Sequence, residues 1–237
     1  MNRIEAPLST AGIVALVGPF GTGKTEVAIS YSLASLRAGR ATSLVDFDVV
    51  TPYFRVGDYR QQLEDKGLRV IAAEGPLASF ENPALSPAID GALLDESAHV
   101  VLDVGGDPVG ARLLAAYRPQ ITARQHELWL MMNPYRPGSS VDAIETHRRA
   151  IEDATHLQIS ALVANPHLGP LTKPSNVEHG LKLVQQASDS TRLPIAFLAV
   201  AEHLLAALPN LSVAVLPLRR FLRLPWERTG AQEESVA

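Results

Sequence analysis

Residues 18–25 read Gly18-Pro19-Phe20-Gly21-Thr22-Gly23-Lys24-Thr25 and satisfy G-x-x-x-x-G-K-[ST] at every fixed position. The flanks are those the motif requires: an apolar run at 12–18 ahead of it and a helical pattern at 24–38 behind it. Glycines at 18, 21 and 23 let the backbone curl so that the loop's N–H groups, those of Phe20 and Thr22 among them, converge on an anion. Lys24 brings a cation to β- and γ-phosphates, and Thr25 brings a hydroxyl to Mg²⁺. From Glu26 onward the helix aims its N-terminal dipole at the same anion. An accidental glycine turn is the alternative, and strand-before, helix-after argues against it. The eight residues and Glu26 therefore predict a nucleotide-phosphate site.

Outward from this loop, apolar runs at 41–46, 68–73, 98–104, 127–133, 158–165, 194–200 and 212–217 alternate with helical patterns at 83–95, 109–117, 140–154, 176–190 and 201–207. Several runs are continuous Val, Ile, Leu and Ala, the composition of strands buried on both faces. Ser86-Pro87 offers a helix start, as does Ser139-Ser140 ahead of Asp142 and Glu145. Strand–helix alternation without a linker or repeat predicts one three-layer α/β domain of the P-loop NTPase kind over residues 1–228. Its sheet is expected to be mostly parallel, with seven or eight strands. Residues 229–237 read as a small, polar, frayed tail.

Composition narrows the chemistry. An apolar fraction of 46% over 237 residues is enough to bury a substantial core. A net charge of −4 supplies no global basic field for nucleic acid or anionic lipid. The absence of cysteine excludes disulfides, thiolate zinc sites, cysteine nucleophiles and iron–sulfur clusters held by the chain's own thiolates. The run at 12–17 ends in the glycine loop rather than a cleavage-like site, and Glu202, His203, Pro209 and Asn210 interrupt the apolar stretch at 194–218. A cytoplasmic protein is the expectation.

A phosphate loop that works with Mg²⁺ needs carboxylates. Val-Val-Leu-Asp-Val-Gly-Gly ends an apolar run with Asp103, the Walker B arrangement, and Gly105-Gly106 permit close approach to a γ-phosphate. The second run ends in Asp46-Phe47-Asp48, which a parallel sheet brings to the same edge as the loop. Thr25, Asp46 and Asp103 are the expected metal set, with Asp48 for an attacking water; the bland alternative for Asp46 or Asp48 is a turn cap. Asp107 reads as a cap for the helix that follows it.

GPFGTGKT, LVDFDVV and VVLDVGG, in this order and spacing, resemble the MinD/ParA-type ATPases of the SIMIBI P-loop class over residues 12–218. The nearest resemblance is to a bacterial branch whose second strand continues as in Asp46-Phe47-Asp48-Val49-Val50-Thr51-Pro52-Tyr53-Phe54-Arg55. The resemblance implies ATP and Mg²⁺ as cofactors and makes Lys24 and Asp48 catalytic, Asp48 positioning water. It makes residues 103–106 the entry to switch II, Asn165 a base contact, and Pro217, in a loop Leu216-Pro217-Leu218, an adenine contact. It also implies a homodimer and an unidentified protein partner. The signature lysine that such proteins carry five positions before the P-loop lysine, reaching across the dimer, is Pro19 here. Arg55 and Arg136 are the candidate replacements, against the plainer reading of solvated or structural arginines.

The remaining features carry less. No two of the seven histidines are spaced i, i+4, and His167 reads as a loop histidine, with the nucleotide or a metal as the sharper alternative. Tyr53-Phe54 suits either a partner surface or sheet packing. The basic, apolar Leu218–Leu224 segment lies between Pro217 and Pro225, which leave room for about two helical turns and disfavour membrane binding. With no N-K-x-D motif, and Asn165-Pro166-His167-Leu168 in its place, ATP is expected over GTP. The expected function is a slow Mg²⁺-dependent ATPase switch. The alternatives are a metallochaperone-like GTPase, a small-molecule ligase or kinase of the dethiobiotin- or cobyrinate-synthase kind, and a nucleotide-dependent binding module without turnover.

Overall fold

The computed structural model of the chain describes residues 8–48, 56–72, 87–106 and 108–222. The apolar runs become eight strands: β1 Ile13–Val17, β2 Thr42–Phe47, β3 Arg69–Ile71, β4 His99–Val104, β5 His126–Met132, β6 Ala161–Ala164, β7 Ile195–Ala201 and β8 Val215–Leu218. They form one sheet in the order β3-β2-β4-β1-β5-β6-β7-β8, every pairing parallel. The helices are α1 Lys24–Arg37, α2 Arg60–Glu64, α3 Pro87–Leu94, α4 Pro108–Ala116, α5 Arg118–Thr122, α6 Val141–Thr155 and α7 Pro174–Thr191.

Side-chain alternation along β1 shows why the sheet needs two helical layers. Ile13, Ala15 and Val17 enter a core with Leu113 and Leu114 of α4, Ile144 of α6 and Val177 and Leu181 of α7. Val14 and Leu16 point the other way, into a core with Val27, Ile29 and Tyr31 of α1 and Leu63 of α2. Tyr31 meets Trp129 edge-on at 5.0 Å between ring centroids and stacks on Phe197 at 6.0 Å, joining α1 to β5 and β7. The central strands have no wet face, as their unbroken apolar composition required.

Several boundaries moved for local reasons. β6 starts at Ala161 rather than residue 158, because the Ile159 N–H donates to Glu152 Oε1 (2.9 Å) instead of a strand partner. The helical pattern at 201–207 is a 3₁₀ turn, Glu202–Ala207. Helices α2 and α5 and a 3₁₀ turn at Val56–Tyr59 were not expected; each is too short to display a period. Ser140 caps α6 as expected, its Oγ accepting from the Ala143 N–H at 3.2 Å. Pro87 opens α3, whereas Ser86, residues 83–85, Asp107 and the 229–237 tail lie outside the described residues.

The C-terminal segment after β8 packs against the domain rather than forming a helix. Residues 219–222 are not helical. Instead Arg219 pairs with Glu202 (2.7 Å), and the N–H groups of Phe221 and Leu222 donate to Glu26. Leu216-Pro217-Leu218 is likewise no loop: it lies within β8, with Pro217 opposite Val200 of β7. No helix among the described residues is long and apolar enough to cross a membrane.

Candidate functional site

Between β1 and α1 the phosphate loop takes the left-handed conformations its glycines permit. Gly23 (φ 87°) is the residue before α1, and a side chain there would collide with the Asn165 amide. Gly18 (φ 134°) presses against β5, where an added Cβ would come within 2.9 Å of the Met131 carbonyl oxygen. Lys24 is buried, and its Nζ donates to the carbonyls of Gly18 (3.0 Å) and Pro19 (3.1 Å), arched over the loop it serves. The buried Thr22 hydroxyl donates to the Pro19 carbonyl (2.9 Å). Phe20 is 74% exposed, so only its backbone faces the cradle.

Parallel pairing of β2 with β4 sets Asp46 directly beside Asp103. Both are buried, and both Asp103 oxygens lack a partner in hydrogen-bond geometry. Burial first, then the neighbouring Asp46 and Asp48 charges, push the Asp103 carboxyl up to about 7, against the opposing pull of the Thr25 hydroxyl and Lys24. A buried carboxylate with two unmatched oxygens beside a second carboxylate and a hydroxyl is a hard-oxygen donor set that fits Mg²⁺.

Asp48 follows β2 directly, beside the glycine pair after β4. Its N–H donates to Asp46 Oδ1 (3.0 Å), so Asp46 also performs the turn-capping role that was the bland alternative. The Asp48 carboxylate lies 3.3 Å from where a Cβ on Gly105 would sit. Gly106 is closer still to the loop: a Cβ there would meet the Phe20 nitrogen at 2.7 Å and Lys24 Nζ at 3.0 Å. The second glycine after the Walker B strand is thus part of the wall around the lysine.

On the other flank, Asn165 leaves β6 and its Nδ2 donates to the Thr22 carbonyl (2.8 Å), while its Oδ1 is buried and unpartnered. His167 accepts from the Gly169 N–H at Nδ1 (3.2 Å), the plain loop role, and burial followed by the Arg136 and Arg220 charges holds it below the usual imidazole range. Glu26 points away from the phosphates: its two oxygens accept from Phe221 N (2.6 Å) and Leu222 N (3.0 Å). Burial raises its carboxyl more than those bonds lower it. Tyr53, Phe54 and Arg55 lie outside the described residues.

A cavity of about 370 Å³ opens behind the loop, between Gly18-Pro19, Gly105-Gly106 and the α4 and α6 residues Arg112 and His147. Such a volume suits a small organic molecule. Val17, Val104, Leu114 and Ile151 make the rest of its wall largely apolar.

No family profile and no curated protein matches the sequence. Solved structures do resemble the fold. The signal recognition particle 54 kDa protein of Aeropyrum pernix K1, in complex with GDP, superposes with a TM-score of 0.53 at 20% identity, over 82% of this chain and 42% of that one. FtsY, the signal recognition particle receptor of Elizabethkingia anophelis, gives 0.54 at 16% identity, over 92% of this chain and 65% of that one. This chain shares the α/β fold of these proteins. FlhF complexed with GTP and Mg²⁺ shares this fold, with a TM-score of 0.52 at 12% identity over 83% of this chain and 68% of that one. The chain spans less than two thirds of the length of the first two.

Within this fold, one sheet edge brings together Lys24, Thr25, Asp46, Asp48, Asp103 and Asn165, all marked from sequence. Sequence reasoning missed three features. Gly106 as a wall of the lysine site was signalled only by the doubled glycine. The Glu26 anchor had no signal, because its partners lie 195 and 196 residues away. The cavity had none either.

Proposed function

We propose that the chain is a Mg²⁺-dependent ATPase switch of the MinD/ParA type, with residues 1–228 as its nucleotide-binding domain. The observation that carries this reading is the orphaned, buried Asp103 beside Asp46, set opposite a phosphate loop whose lysine is already arched over the cradle. Lys24 and the loop amides hold the β- and γ-phosphates and spread their charge. Thr25 and Asp103, with Asp46 behind them, would hold Mg²⁺, which would supply charge neutralisation to the phosphates. Asp48 orients the attacking water. Catalysis on this plan is positioning and electrostatics without a covalent enzyme intermediate. A switch of this type reports its nucleotide state to a protein partner or to a second copy of itself.

ATP is favoured over GTP because Asn165-Pro166-His167-Leu168 lacks the lysine and aspartate of N-K-x-D. The GDP and GTP of the structural neighbours belong to those proteins. The test is phosphate release from ATP by the purified chain in the presence of Mg²⁺, with GTP as competitor. Slow release from ATP that equimolar GTP leaves unchanged supports the reading, and preferential hydrolysis of GTP overturns the nucleotide assignment.

The cavity behind the loop favours a second reading, phosphoryl transfer to a small organic acceptor seated beside the γ-phosphate. ATP consumption that begins only on addition of a carboxylate or amine metabolite would select it.

A further inference from the structure

Lys24 is the cation of the phosphate loop itself, and Arg136 approaches the loop from outside it. Its Nε lies 3.8 Å and its Cδ 3.9 Å from where a Cβ on Gly21 would sit, so the side chain runs along the outer rim of the cradle. The turn that presents it is braced on three sides. Asn133 is buried at the end of β5, its Nδ2 donates to the His167 carbonyl (2.9 Å) and its Oδ1 accepts from the Tyr135 N–H (3.1 Å). The Arg136 N–H donates to the Asn133 carbonyl (3.0 Å), and the Tyr135 hydroxyl donates to the Asn176 carbonyl on α7 (2.7 Å). Among the described residues no carboxylate or carbonyl engages the Arg136 guanidinium, although ion pairs hold Arg148, Arg149 and Arg219. Its field reaches inward, for among charged side chains Arg136 acts most strongly on the half-buried His167.

A rigid turn that holds an unpaired guanidinium against a phosphate loop has an anion as its natural partner. We propose that Arg136 is a catalytic residue acting in cis: its guanidinium donates to the triphosphate bound by the same chain and stabilises the charge that develops during hydrolysis. The inference rests on the proposed ATPase function. In that reaction the water oxygen bonds to the γ-phosphorus while the bond from that phosphorus to the β–γ bridging oxygen breaks. ADP keeps the electron pair, inorganic phosphate takes the water oxygen, and one proton leaves to solvent. Negative charge grows on the bridging oxygen, and a planar fork of donors at the rim of the loop opposes it. Turnover then needs no lysine from a second subunit, which makes Pro19 tolerable.

The test uses the full chain and the variants Arg136→Ala and Arg136→Lys, with equilibrium binding of a fluorescent ATP analogue and single-turnover phosphate release measured separately. Arg136→Ala is expected to bind within a few-fold of wild type and to hydrolyse about 10³-fold more slowly, the scale on which such an arginine acts. Arg136→Lys restores charge without the fork and recovers part of that loss. The wild-type rate per site is expected to stay constant across protein concentration, and adding Lys24→Ala chain to Arg136→Ala chain to leave the rate low. Hydrolysis by Arg136→Ala at the wild-type rate overturns the inference, as does rescue on mixing, which would place the arginine in trans. If wild-type chain neither binds nor hydrolyses ATP, the proposed function falls and this inference with it.

Discussion

The β2–β4–β1 side of the cradle and the β6–β8 side are assembled on different plans. On the first, every group that would meet phosphate or Mg²⁺ sits at or just beyond the carboxyl end of a strand: Lys24 and Thr25 after β1, Asp46 and Asp48 at β2, Asp103 at β4. Strand register alone brings Asp46 to Asp103. On the second, the contacts span the chain: Asn165 reaches Thr22 across 143 residues, and Phe221 reaches Glu26 across 195. The phosphate side is local chemistry positioned by the sheet, and the far side is tertiary bracing of the loop and of the first turn of α1. Damage to the former should weaken nucleotide binding or slow turnover, whereas damage to the latter should loosen a segment and leave phosphate recognition in place.

The largest effect is expected at Lys24. Its ammonium is the loop's only buried cation, and a charge-assisted hydrogen bond is worth about 1.5–3 kcal/mol, so Lys24→Ala should weaken ATP binding roughly 10- to 100-fold. Titration calorimetry reads this directly, and an unchanged affinity would break the phosphate-side assignment. A smaller effect is expected at Glu26, where two backbone N–H groups lose their acceptor. Glu26→Ala should free residues 219–222, and trypsin cleavage after Arg219 or Arg220 should accelerate several-fold while inorganic triphosphate binds as before. Equal cleavage rates would show that the carboxylate does not hold the segment.

The amino edge of the sheet, remote from both sides, offers a control through pH. His99 is buried on β4, with Nδ1 3.0 Å from the Ala11 carbonyl and Arg40 close by; burial first, then that arginine, hold it down at about 4, against an ordinary value of 6.5. The folded chain keeps the imidazole neutral between these values while the unfolded chain protonates it, so stability falls as pH drops from about 6.5 toward 4. At pH 5.5 the loss is about 1.4 kcal/mol, and His99→Phe should flatten the slope of melting temperature against pH in that window. A slope identical in the two proteins would remove His99 from the account.

How much of this the residues disclosed follows the same division. The loop, the Walker B aspartate and the paired second-strand aspartates were readable because a few consecutive residues suffice to state their chemistry. All eight strands were readable because a sheet buried on both faces leaves unbroken apolar runs. Helices α2 and α5 were not, since five residues do not complete enough turns to show a period. Pro217 looked like a loop residue, yet it sits in β8 opposite Val200, and among the described residues β7 alone neighbours that strand. An edge strand has no partner beyond it to miss proline's absent N–H. The basic, apolar stretch after β8 is too short between its prolines to stand as a helix, and its backbone is tied to Glu26, a partner nothing nearby in the sequence foretells.

The central claim is that the carboxyl edge of β1, β2 and β4 hydrolyses ATP through a water placed by Asp48. The most direct measurement is single-turnover phosphate release from ATP with Mg²⁺, made on wild type and on Asp48→Ala at matched occupancy. A residue that orients the nucleophile contributes about 10²–10⁴-fold, so the variant should bind ATP with unchanged affinity and release phosphate at least a hundred times more slowly. Release at the wild-type rate from a variant that binds ATP normally would contradict the account.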